Sequence, residues 1–132
     1  MVLPNYIDII FLNNLFHCLY SPFPIYSNIY SLFVTSGSTA NFLLVASIIE
    51  EYGLKSGDKV LLPSCTWVTN INPIIQLGLT PIFCDVNLEN YSFDLENLKE
   101  ISKCHPDIKL VFVTHILGIP AQVEEYRKLF PE

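Results

Sequence analysis

Lys59-Val60-Leu61-Leu62-Pro63-Ser64-Cys65-Thr66-Trp67-Val68-Thr69-Asn70 is the stretch that decides the fold of this 132-residue chain. Its first four residues, Lys59 and the apolar Val60 to Leu62, are of strand length, a hydroxyl-bearing turn follows Pro63, and residues 67–77 then read as a helix. The same alternation continues downstream. Residues 80–84 form a second strand ended by Asp85. A helix capped by Asp94 carries Leu95, Leu98 and Ile101 on one face, residues 110–113 read as a third strand, and a last helix over 122–130 spaces Val123, Tyr126, Leu129 and Phe130 helically. Upstream, residues 39–52 read as a helix apolar nearly all round (Phe42, Leu43, Leu44, Val45, Ile48, Ile49). It is capped by Ser36 or Ser38, stopped by Gly53, and expected to be buried. Strands separated by helices require parallel pairing, because the crossover between parallel neighbours is usually a helix, so the fold class is α/β.

In such sheets ligands gather beyond the carboxyl ends of the strands, here residues 63–67, 85–87 and 114–118. Three groups near that edge can carry chemistry. Ser36-Gly37-Ser38-Thr39-Ala40 opens a helix, where backbone N–H groups, the positive end of the dipole and hydroxyl donors together suit a phosphate dianion. Helix capping is the simpler role for the same residues. Trp67, the only tryptophan, offers a flat apolar ring against a planar cofactor, with core packing as the alternative. His115, in Thr114-His115-Ile116-Leu117-Gly118-Ile119-Pro120, stands just past a strand end, where it can meet substrate or serve structurally.

Composition narrows the classes. At 51% hydrophobic and 15% charged, the chain is too apolar for disorder and rather apolar for a small self-contained domain, which points to a partner surface or to part of a larger fold. Thirteen acidic against seven basic residues, a formal charge of -6, argue against nucleic acid as a partner. Cys18, Cys65, Cys84 and Cys104 form no C-x-x-C pair, so no metal site or redox dithiol is signalled; reduced and mostly buried thiols in a cytoplasmic protein are expected. Residues 1–33 are aromatic, Asn-rich and without a clean period, and form a poorly patterned segment ahead of the unit at 34–132. Asp8, Asn13, Asn14 and His17 interrupt its apolar run, which also lacks a basic flank, so no membrane anchor is expected.

Taken in order, these pieces resemble the DegT/DnrJ/EryC1/StrS sugar aminotransferases. The likeness runs from about Phe33 to the end. It rests on Ser36 to Ala40; on Leu54-Lys55-Ser56-Gly57-Asp58-Lys59-Val60-Leu61-Leu62-Pro63; on Thr66-Trp67-Val68-Thr69-Asn70-Ile71-Asn72-Pro73-Ile74; on Gly78-Leu79-Thr80-Pro81-Ile82-Phe83-Cys84-Asp85-Val86; and on the turn from His115 to Pro120. Asn72-Pro73-Ile74-Ile75-Gln76-Leu77-Gly78-Leu79 and His115-Ile116-Leu117-Gly118 look most like the branch of CDP-4-keto-6-deoxyglucose 3-dehydratases, which remove a sugar hydroxyl instead of installing an amine.

The resemblance implies the front part of a three-layer α/β/α large domain of fold type I and pyridoxal 5'-phosphate (PLP) as cofactor. It implies a nucleotide-linked keto-deoxysugar as substrate, in deoxysugar and polysaccharide biosynthesis. Matched residue by residue, Gly37, Ser38 and Thr39 fall on the phosphate-binding turn and Trp67 on the stacking aromatic, with His115 on the substrate side. The family's Asp for the pyridine nitrogen and its Schiff-base Lys, a His in the dehydratases, have no counterpart among these 132 residues, so no catalytic residue is assigned. Lys55, Lys59, Lys99, Lys103, Lys109 and Lys128 read as solvated surface lysines. The expected function is accordingly that of a fragment of such an enzyme, inactive alone, that forms homo-oligomers or associates with a complementary chain. The competing class is a non-catalytic module that binds a full-length relative. A dinucleotide-binding domain fits poorly, since no G-x-G-x-x-G follows a first strand.

Overall fold

The computed structural model describes residues 6–9 and 34–130. In chain order the elements are β1 (Tyr6–Ile9), α1 (Gly37–Tyr52), β2 (Lys59–Pro63), α2 (Val68–Gln76), β3 (Thr80–Cys84), α3 (Leu95–Cys104), β4 (Ile108–Thr114), a short 3-10 turn (Ile116–Gly118) and α4 (Val123–Leu129). The four strands make one sheet in the order β1-β4-β2-β3, and every pairing is parallel. β1 is a strand in a segment where no period is visible. Four residues are too short to establish one, and the pairing partner, Val111 to Thr114, lies a hundred residues away.

Side chains of the central strands alternate between two cores. Val60, Leu62, Leu110 and Phe112 point to one face and pack with Val45 and Ile48 of α1 and Ile74 of α2. Leu61, Val111 and Val113 point to the other, where Phe93, Leu98 of α3 and Tyr126 of α4 cover them. Helix layers on both faces give the three-layer arrangement, and both faces of β2 and β4 are buried, which is why those strands read as continuous apolar runs instead of alternating ones.

The helix ends follow local rules. Ser36, in extended conformation, caps α1 by accepting from the Thr39 N–H at 3.2 Å, and Gly53 closes it at φ 64°, a left-handed conformation that favours glycine. Asp94 caps α3 through the Asn97 N–H at 2.9 Å.

Two expectations need correction. α1 is buried along one flank only, at Ala40, Asn41, Val45 and Ile48. Phe42 is exposed and Leu43 half-buried, because among the described residues only the sheet and α2 cover the helix. Of the described thiols, Cys84 is buried, but Cys65 and Cys104 are exposed, since both sit at the ends of elements outside the two cores.

Strand order also fixes where a ligand site can form. The chain leaves β2 through α2 on one face of the sheet and leaves β4 towards α4 on the other, although β2 and β4 are neighbours. Connections that part to opposite faces open a crevice at the carboxyl ends of the two strands.

Candidate functional site

Into that crevice the fold brings three segments: the N-terminal turn of α1, the Ser64–Trp67 stretch after β2 and the Thr114–Gly118 stretch after β4. At the first, the cap uses up Ser36. Its side chain takes the Thr39 N–H, its carbonyl takes the Ala40 N–H at 3.0 Å, and its hydroxyl lies 3.0 Å from the Thr39 hydroxyl. The N–H groups of Gly37 and Ser38 and the Ser38 hydroxyl find no acceptor or donor among the described residues. Capping thus engages Ser36 and Thr39 and leaves the other donors of the turn without a partner among the described residues. Ser36 and Thr39 close the helix end, and Gly37 and Ser38 keep donors at the positive end of the dipole.

Trp67 directly precedes α2, is 55% exposed and belongs to neither of the two cores. An aromatic ring left in water beside free helix-end donors suits a planar, phosphorylated ligand.

His115 follows β4. Its Nδ1 accepts the Ala121 N–H at 2.9 Å, so in the neutral ring the proton resides on Nε2. That bond holds the loop returning to α4, and it gives His115 the structural role as well as a place at the crevice. The next residues bend sharply: Leu117 has φ 51° and Gly118 φ 82°, and Leu117 is 75% exposed. A left-handed leucine in water carries backbone strain at the ligand edge.

Four further polar residues, three of them in the quoted stretches and Asn41 within the helix read over 39–52, carry no role in the sequence reading. Asn41 Nδ2 donates to the Thr69 carbonyl at 3.2 Å and to Asn70 Oδ1 at 2.7 Å, while Asn70 Nδ2 donates to Thr66 Oγ1 at 2.7 Å and to Thr114 Oγ1 at 3.2 Å. Asn41, Asn70 and Thr114 are all buried. A signal for them was present. Asn41 falls on the face of α1 shared by Ala40, Val45 and Ile48, where a buried amide must find partners. In addition, Pro73 has no N–H for the Thr69 carbonyl four residues earlier.

Other reactive groups stand apart. Burial, reinforced by the nearby Asp94 and Asp85 carboxylates, pushes the Cys84 thiol up to about 12, so it stays protonated and is no nucleophile near neutral pH. None of the six lysines lies at the crevice. Lys59 and Lys109 belong to the amino ends of β2 and β4, Lys55 to the turn after α1, and Lys99, Lys103 and Lys128 to exposed positions on α3 and α4. Among the described residues no group of three or more His, Cys, Asp or Glu is placed to hold a metal ion, and no helix is long and apolar enough to cross a membrane.

The model of the DegT/DnrJ/EryC1/StrS aminotransferase family matches residues 26–132. The chain belongs to that family. A GDP-4-keto-6-deoxy-D-mannose 3-dehydratase of Escherichia coli O55:H7 is 33% identical over 102 residues, covering 76% of this chain and 26% of that protein. A GDP-perosamine synthase of Vibrio cholerae is 29% identical over 99 residues, covering 75% and 25%. Among solved structures, the E. coli GDP-4-keto-6-deoxy-D-mannose 3-dehydratase with bound hydrated PLP superposes with a TM-score of 0.70 at 32% identity, over 78% of this chain and 26% of that one. The chain therefore spans about a quarter of the length of the curated relatives it matches.

The architecture is the parallel α/β sheet that the strand and helix alternation predicts, and it matches the PLP-dependent aminotransferase fold that the family resemblance implies. The dehydratase likeness of Asn72 to Leu79 and His115 to Gly118 is matched by relatives whose names specify GDP as the nucleotide. The residues at the crevice fit one end of a PLP site: Gly37 and Ser38 offer donors for the phosphate, and Trp67 offers a face for the ring.

Proposed function

We propose that this chain forms the phosphate-holding half of a PLP site in a sugar-nucleotide enzyme acting on a nucleotide-linked keto-deoxysugar, by amination or 3-dehydration. The observation that carries the reading is the division of labour at the start of α1. Ser36 satisfies the helix end, so the amides of Gly37 and Ser38 remain for a dianion beside an exposed Trp67. Gly37, Ser38 and Thr39 would surround the phosphate, with Thr39 acting through its bond to Ser36, and Trp67 would lie against the ring. His115, its ring anchored by the Ala121 N–H, would stand on the substrate side. PLP, when bound, supplies an electron sink for charge developing on the sugar carbons.

With no lysine at the crevice, these 132 residues by themselves hold the cofactor non-covalently and turn over no keto-sugar nucleotide. The remainder of such a site lies in residues outside these 132. Titration of the purified chain with PLP, followed by Trp67 fluorescence and by borohydride trapping with mass spectrometry, tests this. Saturable quenching without a trapped adduct is expected. A single stoichiometric lysine adduct, conversion of a GDP-linked keto-sugar, or no quenching overturns it.

A second reading is favoured by one observation. Val68, Ile75, Phe83 and Leu88 are all exposed, and among the described residues β3 is bonded on one side only, to β2. A non-catalytic module that associates with a full-length relative uses such a surface, and self-association without any PLP binding supports that alternative.

A further inference from the structure

We propose that Asn70 is a positioning residue that locks the α1 phosphate turn, the Trp67 segment and the His115 segment into one register. The orientation of its amide is fixed by a chain of necessity that begins at Pro73. Lacking an N–H, Pro73 leaves the Thr69 carbonyl without its helical donor, and Asn41 Nδ2 occupies the vacancy at 3.2 Å. A carbonyl only accepts, so the nitrogen of Asn41 must face it. The second hydrogen of that nitrogen is aimed at Asn70, which must present its oxygen, at 2.7 Å. The Asn70 nitrogen is then turned towards Thr66 and Thr114, at 2.7 and 3.2 Å, and the two hydroxyls stand 3.5 Å apart. Flipping Asn41 would set acceptor against acceptor, and flipping Asn70 would set donor against donor.

Each partner is one step from a residue of the candidate site. Asn41 lies in the first turns of α1, two residues past Thr39. Thr66 precedes Trp67, and Thr114 precedes His115. Asn70 is fully buried at the crevice and joins all three. Stability alone gives little reason for this arrangement, since a buried hydrogen bond contributes a net ~0.5–1.5 kcal/mol and a packed apolar pair does as well. What a fully satisfied polar network adds is a single geometry, because every donor has one acceptor and any sliding of one segment breaks a bond.

The consequence for PLP rests on the function proposed above, whereas the coupling between segments does not, and the experiment separates the two. Thr114→Val removes one bond at the β4 end of the network while keeping the side-chain shape. Ile108→Val, at the opposite end of the same strand, is the control of comparable stability loss, and Thr114→Ser restores the hydroxyl. In the unliganded chain the readouts are Trp67 emission and its acrylamide quenching, together with amide hydrogen exchange over residues 37–40. With PLP the readout is the Kd.

Thr114→Val and Thr66→Val are expected to shift Trp67 emission, to speed exchange at 37–40 several-fold and to weaken PLP about tenfold. Ile108→Val leaves all three close to wild type, and Thr114→Ser returns them. If Thr114→Val and Ile108→Val are indistinguishable in emission and exchange, Asn70 merely fills the core and the proposal is wrong. If the unaltered chain binds no PLP, the cofactor reading fails, and emission and exchange still decide the coupling.

Discussion

Ser36 and Ser38 stand two residues apart at the start of α1, and the proposed cofactor site gives them opposite duties, which substitution can separate. Ser36 Oγ accepts the Thr39 N–H at 3.2 Å, a single cap bond at an exposed helix end. Ser36→Ala removes it at a cost of about 1 kcal/mol, which for a domain of this size lowers Tm by roughly 3–5 °C. Ser38 is exposed, and its hydroxyl has no partner among the described residues, so Ser38→Ala changes stability by less than ~0.5 kcal/mol. For PLP the order reverses, because Ser38→Ala removes a donor to the phosphate and weakens binding.

Ser36→Asp sharpens the contrast. A carboxylate keeps the cap acceptor and adds favourable charge at a first turn that has no acidic residue, a gain of ~0.3–1 kcal/mol. The same carboxylate stands near the incoming dianion, and at ~6–7 Å in a water-like dielectric the repulsion is about 1 kcal/mol, or roughly fivefold in Kd. Stability should therefore rise while affinity falls. Urea midpoints by circular dichroism and PLP titrations followed by Trp67 fluorescence measure the two quantities on the same samples. The reasoning is refuted if Ser38→Ala destabilises as much as Ser36→Ala, or if Ser36→Asp binds PLP as tightly as the parent.

Two further outcomes are expected elsewhere in the fold. Tyr126 is fully buried, its ring edge-on to Phe93 with centroids 5.2 Å apart, and its hydroxyl meets Ser92 Oγ and the Gln122 N–H. Tyr126→Phe strands both partners and should cost about 1–3 kcal/mol in urea unfolding, while adding Ser92→Ala recovers part of the loss, because a pair removed together leaves fewer unsatisfied groups. Lys59 lies 2.8 Å from the Asp107 carboxylate, and this hydrogen bond holds the Asp107 carboxyl below its usual 3.8. A depressed carboxyl contributes stability that is present above the unfolded value and lost as pH falls through the folded one. The urea midpoints of wild type and Asp107→Asn should therefore differ at neutral pH and converge as pH falls below 3.8 and through the depressed folded value. A gap that persists in acid shows that the ion pair is not its cause.

The three strands at 59–63, 80–84 and 108–114 and all four helices were legible from the sequence, because their caps and apolar runs are local properties. Ser36, Gly53 and Asp94 act on backbone groups within a few residues, and both faces of the central strands are buried, so nothing masks the runs. Family membership was legible for a related reason: order and spacing of short motifs survive in the chain whatever the surrounding structure.

The tertiary structure alone decided the rest. β1 is a strand because Val111 to Thr114 pair with it, and no local pattern records a partner a hundred residues distant. Which of Ser36 and Ser38 caps α1 could not be told until the hydrogen bonds were assigned. The unit formed by Asn41, Thr66, Asn70 and Thr114 exists only because strand order places the ends of β2 and β4 side by side and lays α1 over α2. Hydrophobic pattern determines which elements form, since burial is nearly non-directional; hydrogen bonds between distant side chains are directional and short in range, so they appear only once the elements are in place.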